Sequence, residues 1–266
     1  MSKINQLFFQ DIVDFLTENV ELNAENKNQL DLIAKTYYNY IIHLDKLLDH
    51  EISINENLLT SNPLFNLTNH YELCIRTLLK LFGENSPIFE SKRKYSKIYF
   101  DAIIKEKLWD FDSHVLTKEQ FEQLAVEKHI PVFFVVDGIN ILQSDYPSED
   151  IKLMLSSIFK GIQMYDDMTD IGEDLQAQQF TYIISNTIQY LKDDEDYYPN
   201  NQLYTHKAFF AVEELCNPQF SYMLNQFSAA KKIAMKYNLT KIINWIDIIN
   251  SQIKDWKNQV EEIRNA

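Results

Sequence analysis

Apolar residues recur along this chain at intervals of three and four, the period of a helix that buries one face. The pattern predicts helices over about 3–20, 24–51, 67–83, 89–109, 117–127, 129–145, 148–176, 178–193, 203–216 and 218–262, the last as two helices. Breaks are expected at Ser61-Asn62-Pro63, at Gly83 to Pro87, at Asp145-Tyr146-Pro147 and at Tyr198 to Asn201. Gly, Pro and Asn are concentrated there, and they favour turns over helix interiors. Thr117-Lys118-Glu119-Gln120 and Ser148-Glu149-Asp150 have the pattern of helix starts, with a short oxygen-bearing side chain ahead of acidic or amide residues. Ile130–Val136 (IPVFFVV) reads as strand or helix, and its continuation into Gly138-Ile139-Asn140-Ile141 favours helix. The expectation is an all-α protein.

Composition supports that expectation. The 266 residues include only four glycines and six prolines, too few for the turns of a β protein. The length fits one large domain spanning 1–266, with no internal repeat and no low-complexity linker. Hydrophobic residues make up 45%, and the formal charge is −14. That charge argues against capture of nucleic acid or of an anionic membrane surface. No run of about 18 apolar residues and no long apolar leader occur, so a cytoplasmic location without membrane insertion is expected. Cys74 and Cys216 lie in apolar helical surroundings and read as buried, reduced thiols.

Two carboxylate clusters stand out. On a helix turning about 100° per residue, Asp45 and Asp49 share the stripe of Tyr38, Ile41, Ile42, Leu48 and Ile52. The polar side carries Lys35, Asn39, His43, Lys46 and His50. Two like charges on an apolar stripe need cations, because burying an uncompensated carboxylate is costly and adjacent ones repel. The cations can be Lys or Arg at a helix end, or a hard divalent metal held at i, i+4. The second cluster is YDDMTDIGEDL, Tyr165–Leu175. Continued as one helix, it places Asp166, Asp167, Asp170, Glu173 and Asp174 within an arc of about 120°, opposite Met164, Met168, Ile171 and Leu175. An ordinary amphipathic surface helix looks similar, although like charges at i+4 destabilise it.

At these residues the chain resembles the class I isoprenoid synthase superfamily, all-α enzymes with two aspartate-rich motifs across a helical barrel. Asp45/Asp49 and Asp170-Ile-Gly-Glu-Asp174, 125 residues apart from Asp45 to Asp170, are similar to the two motifs of the squalene/phytoene synthase branch. Ile162-Gln163-Met164-Tyr165-Asp166-Asp167 resembles the Phe-Gln-x-x-Asp-Asp of trans-prenyltransferases. Phe133–Leu142 resembles the small-residue helix break that lines the superfamily's cavity. The resemblance implies a single-domain helical barrel or bundle with a central cavity and three Mg²⁺ ions per active site. Asp45 and Asp49 would hold two of these ions, and Asp166, Asp170 and Asp174 another. Asp167 and Glu173 would flank them. Asp45, Asp49 and Asp170 would be the catalytic acids. It also implies a small-molecule prenyl diphosphate substrate and, as in many related enzymes, a homodimer.

The metal would act on the leaving diphosphate as a Lewis acid. A dry aromatic cavity, from a chain with 17 Phe, 15 Tyr and 3 Trp, would shelter the resulting carbocation. Only Arg76, Arg93 and Arg264 are arginines, and Ile42 and Thr169 stand where the phytoene synthase pattern has arginine. Arginine is the preferred bidentate phosphate ligand, so its scarcity favours one diphosphate over two. The expected activity is therefore a terpene synthase that ionises, and then cyclises, one prenyl diphosphate. A condensing prenyltransferase or head-to-head synthase is the alternative, and a non-catalytic acidic scaffold the third reading. Arg76, Lys231 and Tyr237, with Lys232 and Lys236 nearby, are the candidates for the diphosphate. His70 and His206 have no partner pattern and read as structural. Zinc spacing, a glycine-rich phosphate loop and a Gly-x-Ser-x-Gly elbow are all missing from the sequence.

Overall fold

In a computed structural model the chain is described over residues 8–48, 62–108, 115–192 and 202–265. Those residues are helical without a strand, as the periodicity requires. The helices are α1 (Ile12–Leu16), α2 (Ala24–Leu48), α3 (Pro63–Phe82), α4 (Ile88–Lys107), α5 (Lys118–His129), α6 (Phe133–Leu142), α7 (Ser148–Thr169), α8 (Ile171–Gln176), α9 (Tyr182–Leu191), α10 (Gln202–Ala211), α11 (Glu213–Lys236) and α12 (Thr240–Asn265). A 3₁₀ turn, Ile130–Val132, joins α5 to α6. None of the described helices is long and apolar enough to cross a membrane.

The punctuation in the sequence sets several ends. Asn62 caps α3 by accepting from the backbone N–H groups of Leu64 (3.0 Å) and Phe65 (3.2 Å), with Pro63 at the first helical position. The helix therefore begins ahead of the predicted residue 67. Gly83 ends it at φ 76°, a left-handed conformation that costs glycine nothing. Thr117 and Gln120 form the expected capping box at the start of α5. Two expectations need correction. The break foreseen between 216 and 218 falls instead at the extended Val212, and Pro218 is accommodated inside α11. Phe133–Leu142 is an unbroken helix, not a small-residue break. Its Gly138 serves packing, since a Cβ there would lie 3.2 Å from the Phe82 ring.

The chain, read from sequence as one domain, divides into two compact units. One comprises Lys3–Lys92 and Val132–Tyr146; the other comprises Met1–Ser2, Arg93–Pro131 and Pro147–Ala266. In the first unit α2 lies along α3, and α1 and α6 pack on α2. Tyr37 meets Phe134 edge-on at 5.1 Å, and Lys27 of α2 pairs with Asp14 of α1 at 2.8 Å. In the second unit the long α7 lies along α11, with α5 on α7 and α12 on α11. At the crossing of α7 and α11, Gly161 presses on the Phe227 ring so closely that a Cβ would lie 2.8 Å from it. Fully buried Phe121, Phe159, Phe209, Phe220 and Phe227 fill this unit, each contributing roughly 1.5–3 kcal/mol through burial. One buried free cysteine belongs to each unit, Cys74 to the first and Cys216 to the second.

Candidate functional site

The acidic segment does not continue as one helix. α7 ends at Thr169, and Asp170 is at once its C-cap and the N-cap of α8, with φ −98° and ψ 3°. The last bond of α7 runs from the Asp170 N–H to the Asp166 carbonyl, and the next ladder opens with the Asp174 N–H donating to the Asp170 carbonyl at 2.8 Å. Three local causes act together. The Thr169 hydroxyl donates back to the carbonyls of Tyr165 and Asp166, Gly172 is a poor helix former, and the clustered carboxylates repel across i+4.

The break undoes the predicted common arc. Asp167 turns inward and is 6% exposed, Asp166, Asp170 and Asp174 are half-buried, and Glu173 is exposed. Asp167 accepts a 2.7 Å hydrogen bond from Gln163 Nε2, one turn earlier. Burial pushes its carboxyl well above the usual range; the Gln163 bond opposes this, the Asp174 and Glu106 carboxylates add to it, and Lys128 counters it. Asp174 is pushed up to about 7, first by burial and then by Asp170, with Lys128 again the favourable charge. Lys128 of α5 pairs with Glu106 of α4 at 3.0 Å, both largely shielded from solvent. Lys128 thus acts on both Asp167 and Asp174, while Glu106 adds negative charge beside both and Asp170 adds it beside Asp174. Glu106 and Lys128 were missed at the level of sequence, because KEK and EKH look like ordinary solvated helix ends.

The remaining candidates are dispersed. Asp45 lies half-buried near the end of α2, in the other unit, on the face where Tyr38 stacks on Phe9 at 4.9 Å. Asp49 lies outside the described residues. Arg76 is exposed on α3 beside Glu72, 3.7 Å away. Lys231 is paired with Asp247 at 2.5 Å. Asp150 accepts from both the Tyr237 hydroxyl and Lys236, each at 2.5 Å, and these bonds hold its carboxyl below the usual range. The basic cluster near 231–237 is therefore engaged by carboxylates of its own unit. The histidines also hold something that sequence spacing hid: His43 and His70, 27 residues apart, meet across α2 and α3 with ring centroids 5.4 Å apart.

Mg²⁺ is a hard ion that binds oxygen donors, keeps several waters and takes one or two carboxylates plus substrate phosphate. Among the described residues no three His, Cys, Asp or Glu side chains converge as a ready-made metal cage. The adjacent Asp170 and Asp174, with Asp174 disfavoured as an anion, have the donor chemistry that such an ion takes. No family model, no curated protein and no solved structure matches the chain.

Proposed function

We propose that the chain is a Mg²⁺-dependent terpene synthase that ionises one linear prenyl diphosphate, such as farnesyl or geranylgeranyl diphosphate. The observation that carries this reading is the mutual repulsion of carboxylates at the α7–α8 break, where burial and then Asp170 raise Asp174 to about 7. A cluster of carboxylates that repel one another is relieved by a cation, and a cation is what lets an anionic substrate approach it. Asp166, Asp170 and Asp174 would hold Mg²⁺ there, and Asp45 and Asp49 have the same role in this reading. The bound ion supplies positive charge to the departing diphosphate.

Lys128 keeps part of the acid set ionised and ready to bind, since its charge opposes the rise in both Asp167 and Asp174. Gln163 fixes the Asp167 carboxyl in one orientation. In the reaction the allylic carbon–oxygen bond breaks heterolytically and the electron pair leaves with the diphosphate. The carbocation then closes on a double bond of its own chain and loses a proton, giving a hydrocarbon. Condensation of two diphosphates is the variant in which a second prenyl chain supplies the double bond.

The engagement of Lys231, Lys236 and Tyr237 by Asp247 and Asp150 favours a second reading, a non-catalytic acidic scaffold whose charges serve its own helices. Incubation with geranyl, farnesyl and geranylgeranyl diphosphates plus Mg²⁺, followed by hydrocarbon analysis, separates the readings. A terpene synthase yields hydrocarbon from one diphosphate, and a condensing enzyme yields product only from two. The scaffold yields none, and its melting temperature is unmoved by Mg²⁺ with a diphosphate analogue. Asp170→Asn and Asp49→Asn are each expected to abolish turnover while leaving stability unchanged or higher. Retained turnover in both would sink the assignment.

A further inference from the structure

Tyr37, Tyr40 and His43 recur every three residues along α2, and Tyr71 and His70 face them from α3. Tyr37 stacks on Tyr40 at 5.8 Å, Tyr40 meets Tyr71 at 5.0 Å, and the ladder ends in the two imidazoles. His43 Nδ1 lies 2.7 Å from the Asn39 carbonyl oxygen. A carbonyl oxygen only accepts, so Nδ1 carries a proton, and the tautomer this selects has its lone pair on Nε2. An imidazole anchored through Nδ1–H to a backbone carbonyl is oriented as metal-ligating histidines are.

The spacing of the pair fits one ion. With a metal–nitrogen bond of about 2.0–2.1 Å, the ion sits roughly 3.2 Å from each ring centroid. Centroids 5.4 Å apart then subtend about 110–115° at that ion, close to the tetrahedral angle. Both histidines are half-buried, so an ion can arrive from solvent and water can fill its other positions. The formal charge of −14 concentrates cations around the molecule.

We infer that His43 and His70 form a two-imidazole site for a borderline transition-metal cation such as Zn²⁺, Ni²⁺ or Cu²⁺, bridging α2 and α3. Imidazole suits these ions, and the hard Mg²⁺ prefers oxygen. The site belongs to the first unit, and its nitrogen donors set it apart from the oxygen donors Asp45 and Asp49 of the diphosphate reading.

The test uses the full chain at pH 7.5. One equivalent of Cu²⁺ is expected to give a paramagnetic resonance spectrum with hyperfine structure from two imidazole nitrogens; an oxygen-only spectrum overturns the site without recourse to any variant. A tenfold excess of Zn²⁺ over its dissociation constant is expected to raise Tm by roughly 3–5 °C. His43→Gln and His70→Gln should each remove that rise, and His206→Gln should keep it. A rise that survives both substitutions but falls in Asp174→Asn would move the ion to the acidic break and refute the imidazole site.

Discussion

Lys92 and Asp167 are buried to the same degree, 6% exposed each, one in each unit, and they meet that burial in opposite company. The Lys92 ammonium lies over the faces of Tyr37 (4.3 Å) and Tyr71 (4.6 Å), whose ring quadrupoles favour its charge. Burial lowers its pKa, and the neighbouring Cys74 thiol works against that fall. Around Asp167 the Gln163 amide and Lys128 favour the charged form, but burial and two further carboxyl groups outweigh them. A buried ion surrounded by groups that welcome its charge is a strut. One whose burial and like-charged neighbours outweigh its partners is waiting for a proton or a cation, which makes the acidic break the better candidate for function.

The largest expected effect tests the strut. Lys92→Ala should destabilise the fold by about 3–4 kcal/mol through lost stem packing and cation–π contact, whereas Lys92→Met should cost under about 1 kcal/mol. Chemical denaturation of both would measure this, and equal losses would show that the charge, not the stem, matters.

His129 gives a third way of being buried, as a neutral ring. Its Nδ1–H donates to the Ala125 carbonyl at 2.8 Å, it stacks on Phe159 at 5.1 Å, and burial lowers its pKa to about 4. The unfolded chain takes up this proton near pH 6.5 and the folded chain only near 4, so stability is lost as pH falls through that window. The loss attributable to this ring is roughly 3 kcal/mol at pH 4. His129→Phe should flatten that limb of the stability curve. An unchanged difference between pH 7 and pH 4 would remove His129 from the account.

Asp167 and Asp174 have raised pKa values, so their signs are reversed. Above the ordinary carboxylate range the folded chain holds protons that the unfolded chain has released, and stability falls as pH rises through the raised values. Asp167→Asn mimics the protonated acid and should gain about 1–2 kcal/mol at pH 8, with the gain vanishing near pH 4. Melting curves at both pH values decide this, and a pH-independent gain would point to packing instead.

The smallest expected effect is on metal binding. Protons compete for Asp174, so apparent Mg²⁺ affinity should rise as pH climbs toward about 7 and level off above it. Titration calorimetry at pH 6, 7 and 8 would show the trend, and flat affinity would separate Asp174 from the ion.

Helical class and most helix ends were legible because their signals are local: Asn62-Pro63, Gly83 and the Thr117–Gln120 box act within one turn. The break at Asp170 was not legible, because helix periodicity continues through it and only the back-bonding of Thr169 and crowded charge interrupt the backbone. Lys92 sits in SKRKYSK, which reads as solvated charge, yet its stem points among tyrosines from α2 and α3. Glu106–Lys128 and His43–His70 are pairings across helices. Their sequence separations of 22 and 27 carry no periodic signature, so tertiary packing alone creates them.

Cys74 and Cys216 have a use beyond packing. They are the chain's two cysteines, both fully buried with thiols raised to about 11, chiefly by burial, and each belongs to a different unit. A thiolate-trapping reagent can reach either one only when its own surroundings open. Quenched-labelling rates at the two sites, resolved by peptide mass, therefore clock the opening of each unit separately in the unmodified protein. Unequal rates would rank which unit yields first, and equal rates would mean that the two openings are equally frequent.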